Sequence, residues 1–221
     1  MFLSFLQNYE NPRRPHSVQN YYLCLLFIDE MHGTKRIFLA AKIDSDLVKQ
    51  ELIPQLKDLL KLEQIRWANP NQMHLTLRFF GDTPVSRIPY IEEAISTSLS
   101  SFSSFDITLS QLKMFGSKYK PQVLWVGIEN NDVLKKMFSE LNEQLAKIGI
   151  QSTRQNFVPH LSLGRIKSID DHKNFQDVLV KFSDYQAESI NINSFKLYES
   201  VLNPTGAVHF ELITFLLKNP Y

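Results

Sequence analysis

The chain has 221 residues, 43% hydrophobic and 21% charged, which is ordinary globular composition and excludes collagen-like, low-complexity and wholly disordered classes. A chain this long can bury a real core, as one large domain or two small lobes. Lys and Arg number 24 against 23 Asp and Glu, a net charge of +1, which argues against a polybasic nucleic-acid binder but leaves room for a local basic site.

Met1 to Glu30 shows no hydrophobic period and carries the breaker cluster Asn11-Pro12-Arg13-Arg14-Pro15. It holds the single cysteine, Cys24, so neither an intrachain disulfide nor a cysteine-based zinc site is available, and a reducing cytoplasm fits. The longest apolar run, Tyr21 to Ile28, spans eight residues, where crossing a membrane takes about 20. Met1 to Leu6 lacks the basic flank of a signal peptide. The expectation is a poorly ordered extension over 1–30, then one folded domain over 31–221 beginning at Met31. The alternative is that Tyr21 to Ile28 adds a strand to a sheet edge.

From Lys35 onward strands and helices alternate. Arg36–Ile43 reads as a strand, and Asp44 or Ser45 caps a helix to about Leu62 with Leu47, Leu52, Leu56, Leu59 and Leu60 on its apolar face. Ile65–Trp67 is extended, Met73–Phe80 is a strand, and Pro84 to Leu99 is helical. Phe105–Phe115 and Gln122–Glu129 read as strands, and Asn131 or Asp132 caps a helix ended by Gly149. Pro159–Ile166 is a strand and Asp170–Phe182 a helix; Ser189–Glu199 and Ala207–Leu217 are strands joined at Asn203-Pro204-Thr205-Gly206. The pattern predicts an α+β fold with antiparallel pairing.

An internal repeat organises these elements. Strand Ile37–Ala40, a helix and His74-Leu75-Thr76-Leu77 form one unit; strand Leu124–Gly127, a helix and His160-Leu161-Ser162-Leu163 form the second. Phe38 to His74 is 36 residues and Trp125 to His160 is 35. Two pseudo-symmetric antiparallel sheets with outer helices and a central cleft are therefore expected.

Alternation along a strand puts His74, Thr76 and Arg78 on one face, and His160 and Ser162 on one face of the second unit. Two imidazoles titrating near neutrality can act as base and acid across one phosphorus centre. Thr76, Ser162 and Arg78 can bind the phosphate oxygens. No metal or cofactor is required. The remaining histidines, His16, His32, His172 and His209, are not spaced as further metal ligands. The basic and aromatic stretch Lys113–Lys120 is either an RNA contact or a solvated loop.

At this point the chain resembles the two-histidine phosphoesterase superfamily, in particular the RNA 2',3'-cyclic phosphodiesterases, historically called 2'-5' RNA ligases. The resemblance spans about Lys35 to Leu217. It rests on Arg36–Ala40, Ile65–Pro70, His74–Gly81, Val123–Gly127, Phe157–Arg165 and Leu197–Ser200. It implies a bilobal fold and hydrolysis of a terminal 2',3'-cyclic phosphate to a 2'-phosphomonoester. It implies His74 as proton donor to the leaving oxygen, His160 as the acceptor that activates water, and Thr76 and Ser162 as phosphate binders. Arg165 matches the family's arginine, yet strict alternation turns it away from His160 unless Gly164 forms a bulge. The expected partner is RNA with a 2',3'-cyclic phosphate end, tRNA fragments being one candidate source, bound by a cytoplasmic monomer with no membrane association. Alternatives are a small cyclic nucleotide or 2'-5' oligonucleotide as substrate, 2'-5' ligation, and a nucleotide-binding module without turnover.

Overall fold

The computed structural model describes residues 33–129, 131–151, 156–204 and 206–219. The expectations for 1–30, Cys24 and Met31 lie outside the described residues. Strand β1 (Thr34–Lys42) leads through a π-helical stretch, Leu47–Leu52, into α1 (Ile53–Leu59). The Ser45 hydroxyl accepts from the Val48 amide, so Ser45 is the cap. Then follow β2 (Gln64–Trp67), β3 (His74–Pro84), α2 (Ile88–Leu99), β4 (Phe105–Ser117), β5 (Lys120–Glu129) and α3 (Asp132–Lys147). The chain ends with β6 (His160–Ser168), α4 (His172–Lys181), β7 (Gln186–Ile192), β8 (Ser194–Asn203) and β9 (Gly206–Leu216).

All the described strands pair antiparallel, as the alternating patterns require. The order β7-β4-β5-β6-β3-β1-β8-β9 makes two four-stranded halves, with β2 added on β6. The halves join through β3 and β6 at Leu75↔Leu161. The two expected sheets are thus one sheet with a narrow seam. Ser189–Glu199, expected as one strand, divides at Asn193. The part before it pairs with β4 in one half, and the part after it pairs with β1 in the other. A side-chain period of two runs straight through such a crossover, so the pattern cannot reveal it.

The helices also bind the halves together. The Glu63 carboxylate accepts from the amides of Asp170 at 2.6 Å and Asp171 at 3.3 Å, satisfying donors at the start of α4. The Asn174 side chain donates to the Leu59 carbonyl at 3.0 Å. On the other side α2 packs on α3. The core beneath includes Leu39, Leu56, Leu75, Leu141, Leu161 and Phe175, all fully buried.

Gly164 is where β2 crosses β6. A Cβ there would lie 2.7 Å from Ile65 Cγ2 and 3.2 Å from the Arg66 carbonyl oxygen. Gly164→Ala should therefore push β2 outward and cost about 1–3 kcal/mol of stability, as overpacking does. A urea midpoint equal to that of the unaltered chain would show that β2 is free to move.

Candidate active site

The seam sets the site. With Leu75 opposite Leu161 in an antiparallel pair, His74 lies across from Ser162, and Thr76 across from His160. Leu75 and Leu161 are fully buried, while His74, Thr76, His160 and Ser162 occupy the opposite face and are at least partly accessible. Each histidine thus lies directly across from the other strand's hydroxyl, and the two histidines are diagonal to one another. The structure brings these four residues together.

Both strands then bulge at the same place. On β3, Thr76 pairs with Ala40 and Arg78 with Leu39, leaving Leu77 as the extra residue. On β6, Ser162 pairs with Trp125 and Gly164 with Leu124, leaving Leu163 as the extra residue. A bulge of this kind resets the facing of whatever follows it. Arg165 accordingly emerges exposed, on the side of Ser162, beyond the buried Leu163 and Gly164. The same reset corrects the expectation for Arg78. Only 5% exposed, Arg78 turns to the helix side, where its guanidinium donates to Asn142 Oδ1 of α3 at 3.1 Å and to the Gln151 carbonyl at 2.7 Å. It ties the first half to the helix of the second and does not line the groove with Thr76. The residue that takes the outward position on β3 is Phe79, 46% exposed, with the Arg36 guanidinium stacked over its ring at 4.9 Å.

The two imidazoles are held alike. His74 Nδ1 lies 2.8 Å from the Gln72 carbonyl, and His160 Nδ1 lies 2.8 Å from the Val158 carbonyl. A carbonyl only accepts, so Nδ1 carries hydrogen in both rings and Nε2 is left as the reactive nitrogen. Each ring also packs on an aromatic of the neighbouring strand: Phe38 at 4.9 Å for His74 and Trp125 at 5.6 Å for His160. Burial pushes both pKa values below the ordinary imidazole value, and the carbonyl bonds partly oppose it. Charge on His160 lowers His74 a little further, as the smallest of the three effects on it.

The surroundings differ between the halves. Beside His160 stand the rings of Phe115, edge-on at 4.8 Å, and Trp125, with Lys113 Nζ 5.9 Å from the Trp125 ring. The basic and aromatic β4–β5 hairpin therefore reaches the site through Phe115. Its tip residue Tyr119 is 77% exposed. Beside His74 a third imidazole, His209 of β9, stands edge-on at 5.2 Å and also packs on Phe38 at 4.9 Å. Spacing in the sequence had set His209 aside; nothing in a single strand histidine announces a partner 135 residues earlier. A cavity of about 240 Å³ opens on this side, lined by His74, His209, Phe38, Tyr198, Asn71 and Gln72, with Lys42, Lys196 and Glu211 at its polar wall. Among the described residues no three His, Cys, Asp or Glu side chains cluster as metal ligands.

Two outcomes follow. Arg78→Leu should cost about 2–3 kcal/mol, the range for hydrogen bonds to a charged group, and leave phosphate affinity within a few-fold. Arg165→Ala should do the reverse, and paired urea titrations and phosphate-binding isotherms distinguish them. The histidines set a pH dependence of stability. Their folded-state pKa values lie below the unfolded value near 6.5, so the unfolded chain takes up more protons as the pH falls. Stability should be fully present above pH 6.5 and decline below it. A His74→Gln, His160→Gln double variant should flatten that decline in urea midpoints taken from pH 7.5 to 5.

Comparison with known proteins agrees with this geometry. The family model described as the 2'-5' RNA ligase superfamily matches residues 48–202. An RNA 2',3'-cyclic phosphodiesterase of Thermotoga maritima is 32% identical over 176 residues, covering 79% of this chain and 91% of that protein. One from Methanothermobacter thermautotrophicus is 26% identical over 82% of this chain and 98% of its own length. Among solved structures, TT0787 of Thermus thermophilus superposes with a TM-score of 0.67 at 19% identity, covering 84% of this chain and 100% of that one. E. coli LigT complexed with 3'-AMP gives 0.66 at 19% identity over 83% and 98%. These likenesses at low identity speak for the fold. With the family model spanning well over half of its length, this chain belongs to the 2'-5' RNA ligase superfamily.

Proposed function

We propose that the chain hydrolyses 2',3'-cyclic phosphate ends of RNA to 2'-phosphomonoesters, with His74 and His160 as the acid–base pair. The observation that carries this reading is the matched tautomer: two imidazoles on one face of the seam, each with Nδ1 on a backbone carbonyl and Nε2 without a partner among the described residues. Relatives named RNA 2',3'-cyclic phosphodiesterase support the substrate class.

His160 Nε2 takes a proton from water as its oxygen attacks phosphorus. The P–O3' bond breaks on the opposite side, and His74 Nε2–H gives its proton to the departing O3'. Proton exchange with solvent resets the pair. The cavity supports this direction, because it opens beside His74 and offers the terminal ribose and base a seat there. The leaving ribose oxygen then falls to His74, and water enters from the side of His160. Bound phosphate supplies the negative charge that favours a protonated His74, offsetting its burial. Thr76, Ser162 and Arg165 take the non-bridging oxygens, where charge grows during attack. The bulges support Arg165 in that role and assign Arg78 to holding the halves together. RNA, tRNA fragments included, is the substrate of a monomer in this reading, and the single cysteine supports a reducing, cytoplasmic setting.

The test is turnover of an oligonucleotide ending in a 2',3'-cyclic phosphate, with the position of the product phosphate assigned. His74→Ala and His160→Ala should each lower kcat by about 10²–10⁴-fold. The double variant should lose less than the product of the singles, since groups acting as a unit are not additive. Near-normal turnover by either single variant, or a 3'-phosphate product, would refute the assignment.

A further inference from the structure

Of the three histidines gathered at the site, His209 is the one the proposed reaction does not use, and its setting differs from that of His74 and His160. Its Nδ1 is buried with no hydrogen-bond partner among the described residues. A buried N–H without an acceptor is rarer and costlier than a bare buried acceptor, so Nδ1 is the unprotonated nitrogen. Nε2 then carries the hydrogen, the tautomer opposite to that of His74 and His160. The ring lines the cavity beside His74, so the polar group it can offer there is a neutral N–H donor.

The neighbours keep it in that form. From β3 comes His74, from β1 Phe38 and Lys42, from β8 Lys196 and Tyr198, and from its own strand Glu211. Glu211 is already committed to Lys196 at 2.6 Å and to the Thr214 hydroxyl, so it is poorly placed to draw a proton onto His209. Burial and the charge of His74 both hold the His209 pKa below the ordinary imidazole value. With Lys196 paired to Glu211, fewer donors on this wall are uncommitted. The other half is furnished differently: His160 meets the rings of Phe115 and Trp125, and the Trp125 indole N–H, also without a hydrogen-bond partner among the described residues, is the polar group there.

We infer that His209 is a specificity residue, a neutral N–H donor that grips an acceptor on the sugar–base end of the substrate in the cavity beside His74 and takes no part in proton transfer. The inference rests on the hydrolytic reading above for the identity of that substrate as a nucleotide. It predicts recognition of the nucleoside, not of the phosphate.

His209→Phe keeps a ring against Phe38 and His74 and removes the donor; His209→Gln restores an N–H at a similar reach. Both are to be compared with the unaltered chain by calorimetric binding of adenosine 2'-monophosphate and of inorganic phosphate, and by kcat, KM and pH profile on a cyclic-phosphate oligonucleotide. The expected result for His209→Phe is nucleotide affinity weakened about tenfold, the worth of one lost hydrogen bond in a buried site, with phosphate affinity within twofold. KM should rise in step, kcat should hold within about threefold, the limbs of the profile should stay in place, and His209→Gln should recover most of the loss. Equal weakening toward phosphate and nucleotide, or a fall in kcat with a displaced limb, would overturn the inference. An unaltered chain that binds the nucleotide through His209 but leaves the cyclic phosphate intact would uphold the inference and overturn the hydrolytic reading instead.

Discussion

Every part of the site depends on one antiparallel register, Leu75 against Leu161. Two fully buried leucines hold the seam, each contributing about 1.5–3 kcal/mol by leaving water. The value of the register lies in what stands beside them. A slip of one residue would turn a whole strand face over, taking His74 and Thr76 into the core and Leu75 and Leu77 into the groove. Burying those polar groups and exposing those leucines would be costly together, so the seam is strongly specified. The gathering of His74, Ser162, Thr76 and His160 on one face is therefore a by-product of core formation. The helices reinforce it from behind: Glu63 on the start of α4, and Arg78 on α3, both cross from one half to the other.

The matched bulges at Leu77 and Leu163 carry the symmetry one step further and then end it. At the first residue past each bulge, one strand has Arg78 and the other Gly164. The arginine reaches back to α3; the glycine makes room for β2. At the next residue, Phe79 stands on one side and Arg165 on the other. Past the bulges the strands so carry different groups, an exposed Arg165 on β6 and an arginine-stacked Phe79 on β3. The cavity and His209 add to the difference on the His74 side. Two imidazoles in the same tautomer, on equivalent strands, become chemically distinct through neighbours that the repeat does not share. That is how a duplicated scaffold can direct a one-way displacement.

Much of this was legible in the chain. The repeated His-Leu-hydroxyl-Leu tetrapeptide and the near-equal spacings point to two like halves, because period-two alternation and helix length fix where a strand must return. The alternation also correctly divides Leu75 from His74 and Leu161 from His160. It fails beyond position 76 for a physical reason. A bulge inserts one residue without altering composition, so Arg78 keeps its place in the pattern and loses its place in space. Gly164 was the visible hint on β6, since its missing side chain admits β2; the glycine of β3, Gly81, lies four residues beyond the bulge at Leu77 and does not mark it. The strand division at Asn193 and the approach of His209 to His74 are long-range facts, decided by pairing β8 with both β1 and β9.

The resting site is held in an uncomfortable state, and its chemistry follows from that. Three imidazoles share one region, each with its protonated form disfavoured by burial. Two of them relieve part of the cost through a carbonyl on Nδ1, and that bond aims Nε2 into the groove. Charge on His160 also disfavours a charged His74, so a singly protonated pair is favoured over a doubly protonated one. A base and an acid must coexist for the reaction, and that is the half-protonated condition. A phosphodiester brings one negative charge into the space between them, which supports an imidazolium there without requiring a second. The substrate thereby completes the ionisation that its own cleavage needs. In the proposed reaction the cavity beside His74 sets which of the two nitrogens faces the ribose oxygen. Selectivity between acid and base thus comes from where the nucleoside sits, and the intrinsic basicity of two similarly held imidazoles need not differ much for the reaction to run in one direction.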